Sequence, residues 1–217
     1  MSNLRLYTYF RSSAAYRVRI ALNLKELPYT AVPVHLRRGG GEQLSEAFGA
    51  VNPARLVPVL EDGAASITQS LAIIEYLEET HPMPPLLPAD APGRARVRSL
   101  ALGIACDIHP LNNLRVQRYL KSTFEIDDAR RDDWTRHWIR IGFEALERML
   151  EGSAQTGTYC HGESPSLADC CLVPQIANAQ RVHLPLDPYP TLMRIHANCQ
   201  RLPAFTAAAP GAQPDAE

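Results

Sequence analysis

The segment Phe10-Arg11-Ser12-Ser13 offers a guanidinium and two hydroxyls between an apolar-alternating stretch, Leu4 to Tyr9, and a helical pattern through Val18, Leu22 and Leu24. Where a strand hands over to a helix, such groups surround a helix N-terminus. Its amide N–H groups lack partners and its dipole favours negative charge. A site of that kind holds a thiolate or a carboxylate. A plain cap, by Ser12 or Ser13, beside a surface arginine uses the same residues. A second start of this kind follows at Gln69-Ser70, ahead of Leu71 to Leu77. Ser70 can cap that helix or bond a carboxylate there, and Gln69 adds an amide.

Three further segments carry polar chemistry. Val57-Pro58 opens a short apolar run, and a proline there removes one ladder donor, which calls for an edge strand or a special geometry. A cis peptide would turn the Val57 backbone toward an extended peptide ligand; a trans proline on an edge strand is the alternative. Within Cys106 to Arg115, Pro110 interrupts a helical pattern and should kink it. His109 and Asn113 then share a helix face, whereas the spacing puts Arg115 on another. Ser166 and Asp169 have capping-box spacing and read as structural. Arg181 closes the same helix, where a cation suits the C-terminal dipole.

The elements that must position these groups follow from pattern. Strands are expected at Leu4 to Tyr9, Pro28 to Val34, Val57 to Leu60 and Ala65 to Thr68, with a hairpin turn at Glu61-Asp62-Gly63. Helices are expected from Ser12 or Ser13 to about Lys25, over Gln43 to Ala50, and over Ser70 to Glu79. Arg37 to Gly41 reads as a polar loop. The β-α-β-α-β-β-α order is that of a thioredoxin-like domain, 1–81. The proline-rich stretch 82–92 reads as a linker. The rest, 93–217, reads as an all-helical domain, with helices over 94–123, 128–150, 166–180 and 189–200 and a frayed tail from Ala207.

The chain has 217 residues, 46% hydrophobic and 21% charged, with a net charge of −1. That describes an ordinary globular protein and gives no case for nucleic acid or an anionic membrane. No signal-peptide core or membrane-length apolar run is visible, so a cytoplasmic location is expected. Five cysteines without metal or C-x-x-C spacing point to reduced, mostly buried thiols and no metal site.

Six motifs, Ser12 to Leu22, Asn52 to Leu60, Gln69 to Glu79, Cys106 to Asn113, Leu167 to Ala179 and Gln213-Pro214-Asp215, resemble the zeta class of glutathione transferases, specifically its bacterial maleylacetoacetate/maleylpyruvate isomerases. The resemblance implies a glutathione transferase fold, a homodimer, and glutathione as cofactor. The γ-glutamyl end would lie on Gln69 and Ser70, the cysteinyl backbone on Val57 beside Pro58, and the sulfur near Ser12 and Ser13. Gln43, His109 and Asn113 would be further contacts. Arg11, Arg115 and Arg181 would receive the carboxylates of a small diacid, with Ser12 and Arg11 as the catalytic pair. The implied reaction is reversible thiolate addition to a cis double bond, rotation and release. Ala14 stands where many members have cysteine, which excludes a role for a protein thiol there. A glutathione-conjugating transferase and a non-catalytic glutathione binder are the competing readings.

Overall fold

The computed structural model describes residues 4–217. Four strands form one mixed sheet in the order β2-β1-β3-β4. β1 (Leu4–Thr8) runs parallel to β2 (Tyr29–Pro33), with Leu4 opposite Tyr29 and Thr8 opposite Pro33. β3 (Val59–Asp62) lies antiparallel to β1, and β4 (Ala65–Thr68) antiparallel to β3. Alternation in β1 buries Leu4 and Leu6, and Val59 and Leu60 are equally buried. α1 (Ser13–Leu24) and α3 (Ser70–Thr80) complete this core through Val18, Leu22, Ile73 and Leu77. α2 (Glu46–Val51) is a short helix capped by Ser45.

Two details of the hairpin differ from expectation. Glu61 and Asp62 belong to β3 rather than to the turn, which falls at Gly63-Ala64. Val57 and Pro58 precede the strand instead of opening it. Between β2 and α2, short 3-10 turns at Arg38–Gly40 and Glu42–Leu44 replace part of the expected loop and helix.

Contacts divide the chain into two units. One ends at Leu86 and also includes Gln200–Glu217; the other is Leu87–Cys199. These limits differ from the 1–81, 82–92 and 93–217 division read from the sequence, and hydrogen bonds explain both differences. The buried Lys25 ammonium donates to Glu78 Oε2 at 2.7 Å, to the His81 carbonyl at 2.7 Å and to the Pro84 carbonyl at 3.0 Å. Leu86 N–H donates to the Glu78 carboxylate at 3.0 Å, so the prolines before it are held to the first unit rather than left as a linker. The tail is not frayed either. Asn23 Nδ2 donates to the Ala204 carbonyl at 3.0 Å, and Phe205 and Ala208 are fully buried. A short α9 (Pro203–Thr206) lies in this segment.

The second unit is helical among its described residues. α4 (Ala91–Leu102) starts on an Asp90 cap whose carboxylate accepts from Gly93 N at 2.7 Å. The helix expected over 94–123 is not continuous. α4 passes into a π turn, Gly103–Ile108, then a 3-10 turn, His109–Asn112, and Asn113 is extended before α5 (Leu114–Phe124). Pro110 has no N–H to give an α-helix, and its ring crowds the preceding turn. α6 (Asp128–Glu151), α7 (Leu167–Arg181) and α8 (Pro190–Cys199) complete the unit. The capping box forms: Ser166 N–H donates to Asp169 Oδ2 at 2.8 Å. Asp169 also accepts from Cys160 N at 2.9 Å, which ties the preceding loop to α7. Cys160, Cys170, Cys171 and Cys199 are buried, and Cys106 is exposed.

Candidate active site

The β1–α1 connection is a tight turn. Ser12 N–H donates to the Tyr9 carbonyl at 2.9 Å. Ser12 Oγ accepts from Ala15 N at 3.2 Å, so Ser12 is the N-cap and Ser13 is the buried first residue of α1. With Oγ accepting from the helix, the Ser12 hydroxyl proton remains a donor for an anion at this end. Arg11 is exposed, its guanidinium 5.6 Å from the Phe10 ring centroid. Burial pushes the Tyr9 phenol up, and the positive fields of Arg11 and Arg37 pull the other way.

Gln43 lies buried after a sharp bend. Gly41 has φ +118°, and a Cβ there would stand 2.8 Å from the Leu36 backbone carbonyl oxygen, so both the conformation and the space favour glycine. Gln43 Nε2 donates to the Leu36 carbonyl at 3.4 Å, and its buried Oε1 has no hydrogen-bond partner among the described residues. The loop before β3 is shaped by Asn52, whose Nδ2 donates to the Leu56 carbonyl at 2.7 Å and whose Oδ1 accepts from Ala54 N at 3.0 Å. Val57 and Pro58 are buried, and the peptide between them is cis.

Gln69 stands at φ +70°, a conformation that costs a non-glycine residue about 1–3 kcal/mol. It is exposed, directly before the buried Ser70 that opens α3. Arg17, itself buried, donates from Nη1 to Ser70 Oγ at 3.2 Å and joins the two helix starts.

The remaining sequence-predicted residues belong to the second unit. His109 opens the 3-10 turn and Asn113 caps α5, with Asn113 Oδ1 accepting from Arg115 N at 3.1 Å. The shared helix face expected for His109 and Asn113 therefore does not exist, because the helix is broken between them. Arg115 is exposed on the first turn of α5, and Arg181 is exposed at the end of α7. The turn itself is held by Trp134, whose Nε1 donates to the Leu111 carbonyl at 2.8 Å.

Arg17, Arg19 and Asp215 lie within motifs that carry the family resemblance, but sequence reasoning alone assigned them no role. Arg19 is fully buried and donates to the Ala208 carbonyl at 3.0 Å, Thr8 Oγ1 at 3.0 Å, the Tyr9 carbonyl at 3.3 Å and the Phe10 carbonyl at 3.1 Å. Burial lowers its pKa to about 10, against the opposing influence of Tyr29, Tyr16 and Asp215. The signal available was a pair of arginines around Val18 in a helix otherwise poor in charge. Among the described residues no cluster of metal-binding side chains is present. No described helix is long and apolar enough to cross a membrane.

A four-stranded mixed sheet with helices, followed by a helical unit, with polar residues at two helix starts, is the arrangement of a glutathione-binding transferase. Residues 6–85 match the glutathione S-transferase N-terminal domain family and residues 132–201 its C-terminal domain family. The chain belongs to the glutathione S-transferase family. It is 53% identical over 216 residues to a probable maleylacetoacetate isomerase of Vibrio cholerae, with all of both chains covered. It is similar to the holo structure of a maleyl pyruvate isomerase, described as a bacterial zeta-class glutathione S-transferase, at a TM-score of 0.96 and 50% identity, covering 98% of this chain and 100% of that one. A maleylacetoacetate isomerase structure from Methylobacterium extorquens AM1 with bound malonate and glutathione matches at a TM-score of 0.95 and 41% identity, covering 98% and 99%.

Proposed function

We propose that this chain is a glutathione-dependent cis–trans isomerase of maleylacetoacetate or maleylpyruvate in aromatic catabolism, working as a cytoplasmic homodimer. The observation that carries the reading is the pair of anion-ready helix starts in one domain, Ser12 capping α1 and the buried Ser70 opening α3. The relatives support the activity: those just described are named isomerases, and one was solved with bound malonate, a dicarboxylate, and glutathione.

The residues present fit the cofactor. Ser70 offers a hydroxyl at a helix N-terminus for the γ-glutamyl carboxylate, with Gln69 beside it. The buried, unpartnered Gln43 Oε1 suits a ligand amide N–H. Val57, next to Pro58, takes the cysteinyl backbone; His109 and Asn113 are the further contacts that the family resemblance implies. When bound, glutathione supplies a sulfur nucleophile that adds reversibly to the conjugated double bond and leaves unchanged after rotation.

A free thiol titrates near about 8.5, so the site must favour the thiolate. The Ser12 hydroxyl proton does this by donating toward the sulfur, and the positive end of the α1 dipole favours the negative charge there. Arg11 offers fixed positive charge to a substrate carboxylate and to the negative charge that develops on the diacid during turnover; Arg115 and Arg181 are the further carboxylate contacts that the family resemblance implies.

The test is an ultraviolet assay of maleylpyruvate and maleylacetoacetate, each with and without glutathione. Glutathione-dependent conversion at constant total thiol is expected, and the faster substrate is the physiological one. Stoichiometric thiol loss would instead identify a conjugating transferase. No conversion of either diacid, with glutathione still bound, would leave a binder.

A further inference from the structure

We propose that the C-terminal segment is a working part of the catalytic turn, with Asp215 a positioning residue that, together with Arg19, sets the backbone presenting Arg11 and Ser12. This rests on the reading of Arg11 and Ser12 as reaction residues.

The turn has few ways to fix its own shape. Its internal hydrogen bond runs from Ser12 N–H to the Tyr9 carbonyl at 2.9 Å. The peptide groups around it are held from outside. Phe10 N–H donates to Asp215 Oδ2 at 3.0 Å, from 205 residues away in sequence. The Phe10 carbonyl accepts from Arg19 Nη2 at 3.1 Å, and that peptide plane leads directly into Arg11. Both peptide groups flanking Phe10 Cα are therefore anchored, one by a carboxylate and one by a guanidinium.

Arg19 also donates from Nε to the Ala208 carbonyl at 3.0 Å, so the same cation grips the turn and the tail. The tail arrives there with a defined shape. Gln213 Nε2 donates to the carbonyls of Ala207 at 2.9 Å and Ala209 at 3.0 Å, around a 3-10 turn at Pro210–Ala212. Tyr16 donates its hydroxyl to the Phe205 carbonyl at 3.3 Å. A strap tied this often delivers a single carboxylate to a single amide beside the residues of the reaction. Small misplacements of reacting groups cost large factors in rate, which gives the anchor catalytic value beyond stability.

The experiment compares Asp215→Ala and Asp215→Asn with the unchanged enzyme. Both variants remove the same charge, so the difference between them reports the acceptor alone. Asp215 is only half-buried, and thermal melting of both variants checks the fold. The readouts are kcat for the diacid, the dissociation constant for glutathione, and the pH dependence of the ultraviolet absorbance of bound thiolate. Asp215→Asn is expected to stay within about threefold of the unchanged enzyme in kcat. Asp215→Ala is expected to lose about tenfold, with glutathione affinity within about twofold and a higher apparent thiol pKa than Asp215→Asn. Equal losses in both variants, or no loss in either, would overturn the proposal while leaving the isomerase reading intact. An unchanged enzyme that forms no bound thiolate would overturn the isomerase reading and this inference with it.

Discussion

Arg17 Nη1 donates to Ser70 Oγ at 3.2 Å, so a buried guanidinium on α1 holds the first residue of α3. With an Oγ lone pair occupied, the Ser70 hydroxyl proton is left to point at whatever anion sits on the α3 N-terminus. Ser70→Ala removes that donor without changing the chain's course. The expected result is about a tenfold weaker glutathione dissociation constant, about 1.4 kcal/mol, with kcat at saturating glutathione changed less than about twofold. Titration calorimetry reads the first number, and unchanged affinity would remove Ser70 from the ligand contacts.

Arg11 differs from Arg17 in being exposed and in facing no carboxylate among the ion pairs described. A cation in that state is available to a diacid. Arg11→Ala is expected to lower kcat/KM for the diacid by about a hundredfold, equivalent to about 2.7 kcal/mol of charge-assisted binding in the transition state. Glutathione affinity should stay within about twofold. Turnover equal to that of the unchanged enzyme would show that Arg11 holds neither a carboxylate nor developing charge.

Much of this was legible because local chemistry and final position coincide. A cap is read at Ser12 or Ser13, and Ser12 supplies it; Ser166 and Asp169 read as a capping box and form one. The order of elements along the first domain, β-α-β-α-β-β-α, follows from alternation and turn residues. What was not legible depends on contacts distant in sequence. Arg17 and Arg19 look like solvent-facing positions on α1, yet both are buried: Arg17 reaches Ser70 Oγ, and Arg19 reaches the Ala208 carbonyl of the tail together with the Tyr9 and Phe10 carbonyls. The tail, rich in alanine and proline, has no periodicity to announce that Asp215 caps Phe10. The break at His109 was half visible: Pro110 signalled a kink, but composition could not show that the helix would widen into a π turn first.

That π turn is held by a close approach that only glycine permits. A Cβ on Gly142 of α6 would stand 2.2 Å from Ile108 Cδ1 and 2.3 Å from Cγ1. Ile108 directly precedes His109, so α6 sets where the turn carrying His109 begins. Gly142→Ala should overpack this contact and destabilise the protein by about 1–3 kcal/mol, against a small helix-propensity gain. Adding Ile108→Val, which deletes Cδ1, should recover part of the loss. Urea denaturation of the single and double variants measures both terms. A Gly142→Ala protein as stable as the unchanged one would mean that Ile108 moves aside freely and that the contact does not fix the turn.

Stability should also fall on mild acidification, and His196 on α8 supplies a reason. Burial holds its pKa below the ordinary value of 6.5. As pH drops through that ordinary value the unfolded chain takes up a proton that the folded protein still refuses. The unfolded state then binds more protons, and stability declines with falling pH until the depressed folded pKa is passed. Asp169 acts in the opposite sense, since burial raises its pKa from 3.8 and the folded state keeps a proton that the unfolded chain gives up. Its window starts at the ordinary carboxylate value of 3.8 and extends upward, so Asp169 and His196 contribute with opposite signs. Replacing His196 with the non-titrating His196→Asn should flatten the decline between about pH 7 and about pH 5, as read from urea midpoints. An unaltered slope would assign the acid sensitivity to groups other than His196.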